Sequence, residues 1–341
     1  MTRWFFSLLL LVSFSGFSQQ NEIEKSKNKF NQFIDVHGGH VKTKHTHLHY
    51  LQWGCTNQKT LIWLHGSLSN AFEIEPFAKD IIKLGYRIIA IDYYGHGSTK
   101  IPADKFSATD LLQDINTLLD SLHIPTCTVG GFSRGAYLAT MFYNKYPQKV
   151  DALILEDGGV SPFLEHFTTL SSEQLKTKVD EEIQNRPAEL FEEYDHEEEA
   201  YCALEPYGET NKNQRYKNFS FIRFNKGKYV IYKDIDKLYG LDSYENISLL
   251  TKGKLFSNPF ANELMLFPYY DIIATTTVPT LLLEASSKND PFPNTSYYLN
   301  LKRTNNNITY NTFAKSDHTI HHEEPRKFIK ALTKFLKYND N

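Results

Sequence analysis

The chain reads as an α/β protein built on a mostly parallel sheet with helices on both faces. Along residues 60–156, short apolar runs of strand length alternate with longer amphipathic runs of helix length. That alternation produces parallel strands joined by crossover helices. The run ending at Phe132 passes straight into a helical one beginning at Arg134, with Ser133 at the apex of Gly131-Phe132-Ser133-Arg134-Gly135. After an interruption over residues 160–277, two further strands and a closing amphipathic helix return to the same pattern.

The elements follow in order. Arg3 followed by the apolar stretch Trp4–Phe17 has the charge and length of a secretory leader, and is too short to span a bilayer comfortably. Gly16 and Ser18 supply small residues for cleavage, so residues 1–18 are expected to be a signal peptide. The mature protein is then exported, periplasmic or secreted, with no stable membrane anchor. Gln19–Lys29 reads as a polar linker. Residues 33–36 and 48–53 read as early strands separated by a His37-Gly38-Gly39-His40 turn. His45, His47 and His49 alternate along one solvated strand face, with no carboxylate or cysteine spaced to complete a metal site. The core then runs strand 60–64, helix 72–84, strand 86–92, helix 107–122, strand 127–132, helix 134–146 and strand 151–156. It resumes with strands 278–284 and 308–313 and a helix over about 324–338.

Four segments carry chemistry. A serine hydroxyl is a weak nucleophile unless it is held exposed beside a base. A tight strand-to-helix turn such as Gly131–Gly135 does this, provided small residues sit two positions either side of the serine. The segment Thr60–Ser67 ends an apolar strand in His65-Gly66, so the backbone N–H groups of Ser67 and Arg134 are the candidates to cradle an oxyanion. His318 directly follows strand 308–313 and is the best placed base; His321 and His322 read as surface residues, and His96 as a residue that orders its loop. For the acid that orients the base, Asp290 is preferred, because Asp290-Pro291-Phe292-Pro293 forms a rigid turn after a strand. Asp157, or Glu156, after strand 151–156 is the alternative. The order Ser133, Asp290, His318 suits this architecture.

Together these pieces resemble the α/β-hydrolase superfamily, in particular its esterase, lipase and epoxide-hydrolase-like branch. The resemblance rests on the Gly131–Gly135 elbow, His65-Gly66, Asp92 to Gly97, and His318 with Glu323 and Pro325. It implies an α/β-hydrolase fold with a cap or lid inserted after the sixth strand: core 19–159 and 278–341, insert 160–277. Two departures stand out. Asp317 replaces the glycine usual before the base, and the loop Ala285–Asp290 is about two residues longer than usual. Epoxide hydrolases and haloalkane dehalogenases of this fold carry an aspartate at the apex, so Ser133 points instead to acyl transfer to water.

The insert opens acidic, from Glu181 to Glu199, and continues basic, from Lys212 to Lys228. Phe219–Tyr232 alternates about Asn225-Lys226-Gly227 like a hairpin. Cys55 and Cys127 lie beside neighbouring strands and would be able to pair in an oxidising compartment, but Cys127 also reads as a small buried hydrophobe. A net charge of -3 and the lack of a basic, aromatic-laced patch argue against nucleic acid. The expected activity is an exported, cofactor-independent, metal-independent serine hydrolase acting on a small-molecule or small lipid or sugar ester. The alternatives are an aminopeptidase or amidase anchored by Glu192, Glu193 and Glu197–Glu199, a C–C hydrolase, and a non-catalytic binding protein of the same fold.

Overall fold

The computed structural model describes residues 4–56, 58–162, 170–235, 238, 244–251, 259–290 and 293–338. Among the described residues, eight strands form the main sheet: β1 (Gly38–Lys42), β2 (His47–Trp53), β3 (Lys59–Leu64), β4 (Tyr86–Asp92), β5 (Cys127–Phe132), β6 (Val150–Glu156), β10 (Thr280–Ala285) and β11 (Ile308–Phe313). Their order is β1-β2-β4-β3-β5-β6-β10-β11. Strand β2 runs antiparallel to β4, and the pairs from β4 through β11 are parallel. All residues of β4, β5 and β10 are buried, which is why these segments read as continuous apolar runs and not as alternating ones.

Among the helices, α1 spans Trp4–His37, α2 Glu75–Ile82, α3 Ala108–Ser121 and α4 Arg134–Lys145. Pro76 opens α2, and Ser107 starts α3 with a capping box closed by Asp110. Strands β5 and β6 pair with Phe132 opposite Glu156. Ser133 and Asp157, each the first residue past its strand, therefore emerge side by side at the carboxyl edge of the sheet, where sites of open α/β sheets form.

Residues 19–36, expected to be a linker and a strand, are helical and belong to α1. Ile23, Phe30 and Phe33 recur at helical spacing and pack on side chains far along the chain. Phe30 lies 6.0 Å from the Phe219 ring and Phe33 5.7 Å from Tyr216. Lys27 sits 4.7 Å from the centre of the Phe219 ring and pairs with Glu197 at 2.5 Å. Gly38-Gly39 ends the helix and starts β1. Local composition did not reveal this helix because its stabilising surface comes from residues 190–232.

Two compact units result: the residues up to Gly38 with Pro187–Lys233, and Gly39–Arg186 with Asp234 onward. These bounds differ from an insert over 160–277. The larger unit also holds α5 (Ser172–Gln184), α7 (Tyr244–Thr251), α8 (Pro259–Leu266) and α9 (Tyr269–Ala274), with α5 against α7, α8 against α3 and α9 against α4. Tyr269 packs edge-on to Tyr137 at 4.6 Å, and Glu263 accepts the Thr109 N–H at 2.7 Å. The smaller unit holds α6 (Glu197–Leu204) and a three-stranded sheet of β7 (Glu193–Tyr194), β8 (Arg223–Asn225) and β9 (Lys228–Val230). The expected hairpin is β8–β9; Lys226 and Gly227 both take positive φ (50° and 85°), as a type I′ turn requires. Its core gathers Leu190, Tyr201, Leu204, Phe219 and Ile231.

The cysteines do not pair. Cys127 is buried opposite Val150, and Cys55 is exposed ahead of β3. The histidine row is not a solvated face: His49 is buried and bonded through Nδ1 to Asp92 at 2.6 Å, while His45 meets Asp114 at 3.0 Å. Among the described residues no helix is long and apolar enough to cross a membrane. Truncating Phe30 to alanine should destabilise the smaller unit by about 1–3 kcal/mol, below the cost of a fully buried phenylalanine because the ring is partly exposed. Limited proteolysis, with cleavage sites mapped by mass spectrometry, should show faster nicking within 187–233.

Candidate active site

The turn between β5 and α4 is strained in the manner a nucleophile elbow requires. Ser133 has φ 48° and ψ −117°, outside the regions that ordinary residues favour. Its N–H donates to the Glu156 carbonyl at 2.7 Å, which ties the apex to β6. The glycines are demanded by close approach. A Cβ on Gly135 would lie 1.8 Å from the Leu64 carbonyl oxygen, and one on Gly131 would lie 2.4 Å from Gly135. Helix α4 therefore starts directly over the end of β3, and the half-buried Ser133 side chain remains reachable.

His318 lies in the turn after β11. Its Nε2 is 3.0 Å from Ser133 Oγ, and its Nδ1 is 2.6 Å from Asp157 Oδ2. The second oxygen of Asp157 accepts the Ala285 N–H at 3.0 Å. Asp317, the departure from glycine, anchors this turn by accepting the Ser287 hydroxyl while its N–H donates to Glu323 at 2.7 Å. Burial pushes the Asp157 carboxyl up, to about 7; the His318 hydrogen bond and charge and the Ala285 N–H pull against that rise, and the charge of Asp290 adds to it.

The structure corrects the acid. Asp157, not Asp290, orients His318. Asp290 follows the end of β10 by five residues, and its N–H closes a turn to the Ser287 carbonyl at 3.3 Å. It is near enough for its charge to act on Asp157, but both ring nitrogens of His318 are engaged by Ser133 and Asp157. Pro291 and Phe292, which made that turn attractive, lie outside the described residues. A signal for Asp157 was present in Glu156-Asp157-Gly158-Gly159. Asp157 takes φ 46°, and a Cβ on Gly158 would meet the Ser133 carbonyl oxygen at 2.5 Å.

The oxyanion candidates are placed by their neighbours. The Gly66 carbonyl accepts the Tyr93 hydroxyl at 3.1 Å and the His65 Nδ1–H at 2.8 Å. In a trans peptide the next N–H points opposite the carbonyl, so the Ser67 N–H is directed away from Tyr93 and His65. The Arg134 N–H belongs to the first turn of α4 and is among those a helix leaves without an intrahelical acceptor. The Arg134 side chain is buried, and its charge acts on His65 and Tyr269. Burial lowers the His65 imidazole to about 4, so the ring is neutral where it stacks on Tyr93 at 3.9 Å. His96 donates Nδ1–H to the Tyr94 carbonyl at 2.9 Å within its own loop.

His321 departs from the expectation of a surface residue, whereas His322 is exposed. His321 is buried, and Glu156 accepts both its backbone N–H at 2.9 Å and its Nδ1–H at 2.8 Å. Spacing alone hid this pair: Glu156 and His321 lie 165 residues apart in the chain, and only the β6 register brings them together.

A strained serine, a histidine bonded to it and a buried carboxylate behind the histidine make up the constellation for nucleophilic attack on a carbonyl. A family model described as alpha/beta hydrolase fold matches residues 59–325. The chain belongs to the α/β-hydrolase family. It is 28% identical over 155 residues to "Epoxide hydrolase 1" of Caenorhabditis elegans, covering 44% of this chain and 37% of that protein. It is 30% identical over 122 residues to a 2-hydroxy-6-oxononadienedioate/2-hydroxy-6-oxononatrienedioate hydrolase of Escherichia coli, covering 35% of this chain and 42% of that protein. The chain thus spans about two fifths of these curated relatives. Among solved structures, E-2-(acetamidomethylene)succinate hydrolase superposes with a TM-score of 0.60 at 19% identity, over 88% of this chain and 98% of that one. A Bacillus subtilis carboxylesterase superposes with a TM-score of 0.57 at 17% identity, over 92% and 98%. At such identities these likenesses speak to the α/β-hydrolase fold.

Asp157→Asn should lower the rate of Ser133 phosphonylation by an activated fluorophosphonate by about 10³–10⁴-fold, the scale seen when a triad acid is neutralised. Asp290→Asn should change it less than tenfold. Labelling kinetics followed by intact mass separate the two, and equal losses would return Asp290 to the triad.

Proposed function

We propose that the protein is an exported serine hydrolase that cleaves a carboxylic ester, or a similar carbonyl substrate such as a lactone, through an acyl-enzyme. The observation that carries this reading is the continuous hydrogen-bonded line Ser133 Oγ–His318 Nε2 and His318 Nδ1–Asp157 Oδ2. His318 takes the Ser133 proton as Oγ attacks the carbonyl carbon. The electron pair of the C=O moves to oxygen, and the Ser67 and Arg134 N–H groups hold the resulting oxyanion. Asp157 stabilises the imidazolium, which then protonates the departing alcohol. Water, deprotonated by His318, attacks the acyl-enzyme, and the acid leaves with Ser133 restored.

The apex residue weighs against epoxide opening despite the relative of that name. A serine alkoxide attacking an epoxide carbon would form an ether, and water has no carbonyl there at which to release it. A carboxylate nucleophile forms an ester that can turn over. Cleavage of a C–C bond beside a carbonyl is the second reading: it uses the same serine, and the Escherichia coli relatives favour it. The aminopeptidase reading loses support because three of its five candidate acids are engaged elsewhere. Glu197 pairs with Lys27, Glu193 lies 3.6 Å from Lys233, and Glu199 caps the start of α6.

Export rests on the leader-like pattern of residues 1–18. Expressed in a bacterial host, the mature protein should be recovered outside the cytoplasm with Gln19 at its amino terminus by Edman sequencing. Recovery in the cytoplasm with residues 1–18 retained would sink the export reading. For the activity, p-nitrophenyl esters of graded acyl length should be hydrolysed by the parent and not by Ser133→Ala, and the optimum would measure the acyl pocket. Silence on every ester with phosphonate labelling intact would shift the reading to the C–C bond. Silence in both assays would leave a binding protein.

A further inference from the structure

Behind the triad lies a second buried charge cluster that the reaction above does not use. Glu156 immediately precedes Asp157, and His321 follows His318 by three residues, so the Asp157–His318 pair is doubled by the Glu156–His321 pair one layer deeper. Glu73, in the turn after β3, is the third member. It is buried, accepts the Trp63 Nε1–H at 2.9 Å, and accepts the Gly66 N–H at 3.0 Å. Gly66 is the residue before the Ser67 oxyanion donor. Glu156 also reaches the nucleophile, because its backbone carbonyl accepts the Ser133 N–H. The three groups therefore reach each segment that carries the site: the oxyanion loop through Glu73, the elbow and acid loop through Glu156, and the histidine loop through His321.

We propose that the buried Glu73–His321–Glu156 cluster is a positioning device for the hydrolytic reaction, holding the Ser67 donor in register with Ser133 and His318 and acting on turnover more than on substrate binding. The inference rests on the serine-hydrolase reading.

The geometry explains why the cluster is coupled. His321 is enclosed by aromatic rings, with Phe132 at 5.0 Å, Phe328 at 5.9 Å and Phe77 at 6.5 Å. Phe132 packs on His318 as well, at 4.9 Å, and its ring occupies the space that a Cβ on Gly66 would need. Burial pushes the Glu73 carboxyl up; the His321 charge and the Gly66 and Trp63 hydrogen bonds pull against that rise, and the charge of Glu156 adds to it. The charged and titratable groups facing His321 are Glu156 at the end of β6, Glu73 in the turn after β3, and Glu323 and His322 of its own short helix, the His322 ring tilted at 4.6 Å. The Asp157–His318 pair lies across Phe132. Burial pulls the His321 imidazole down, but Glu156 by charge and hydrogen bond, with Glu73 and Glu323, outweighs it and holds the group up at about 9. The imidazolium is thus present at neutral pH and lost as pH rises through about 9. If it is lost, two buried carboxylates repel each other and the loops they hold are released.

The test compares the parent with His321→Asn, which keeps an N–H donor for Glu156 but removes the charge, and with Glu73→Gln, which keeps the shape at Gly66. Ester turnover is measured from pH 6 to 10.5 alongside thermal melting. In His321→Asn and Glu73→Gln, kcat should fall by about 10–100-fold, the loss expected of a weakened oxyanion donor, with KM within about threefold. The parent should lose kcat as pH rises through about 9, and His321→Asn should lack that limb. If His321→Asn does not fold, the doubly neutral His321→Asn/Glu73→Gln, with one fewer stranded carboxylate, and the parent's own alkaline limb decide. Folded variants with parental kcat, or a parental kcat flat through pH 10, overturn the positioning role while leaving the triad standing. A parent that neither turns over esters nor labels at Ser133 fails the hydrolase reading itself, and this proposal falls with it.

Discussion

The contact between Gly135 and the Leu64 carbonyl is the constraint on which the rest of this structure depends. With no side chain at 135, helix α4 begins directly over the end of β3, and the chain between must take the left-handed geometry of Ser133. Such a backbone costs of order 1–3 kcal/mol and persists only where its surroundings over-determine it. Here the surroundings are explicit. The Ser133 N–H is bound by the Glu156 carbonyl, Gly131 fits beneath Gly135, and Gly158 leaves room for the Ser133 carbonyl. The same turn leaves the Ser133 side chain half-buried, with its hydroxyl 3.0 Å from His318 Nε2.

From that apex the site grows by register. Phe132 pairs with Glu156 and Leu283 pairs with Glu156 from the other side, so three strand ends converge within a few residues. The convergence supplies Ser133 from β5, Asp157 from β6, the Ala285 N–H from β10, and His318 from the turn after β11. Strand ends position the first three, and the turn bonded through Asp317 to Ser287 and Glu323 holds His318. The same convergence brings together two carboxylate–histidine pairs, Glu156–His321 buried and Asp157–His318 half-buried at its histidine. Buried ion pairs rarely add net stability, because desolvation offsets their attraction. Their value here is orientational: Asp157 joins His318 to the Ala285 N–H, and Glu156 joins the His321 ring and backbone N–H to the end of β6.

The amino-terminal helix shows the opposite dependence. Its residues 19–36 are mostly polar, and in proteins most helical stability comes from tertiary packing of the apolar face. It is stabilised by Phe219, Tyr216 and Glu197, residues about 170–190 positions later. The smaller unit is consequently discontinuous: two separated stretches of chain complete one core.

The α/β-hydrolase fold was legible in the sequence, and so were Ser133 and His318 as residues that would meet at one sheet edge. Buried parallel strands are apolar on both faces and so can be read as runs. An elbow needs small residues at Gly131 and Gly135 because backbone passes there, and a histidine at the end of a strand can reach only the sheet edge. Those are local consequences of local chemistry. Tertiary structure alone decided the rest. Asp157 displaced Asp290 because strand register, not turn rigidity, sets which carboxylate meets Nδ1. His321 and His49 left the surface because a carboxylate distant in sequence awaited each one inside. Residues 19–36 became helix because their partner surface lies in another part of the chain. In each case the deciding interaction joins residues that no window along the sequence contains.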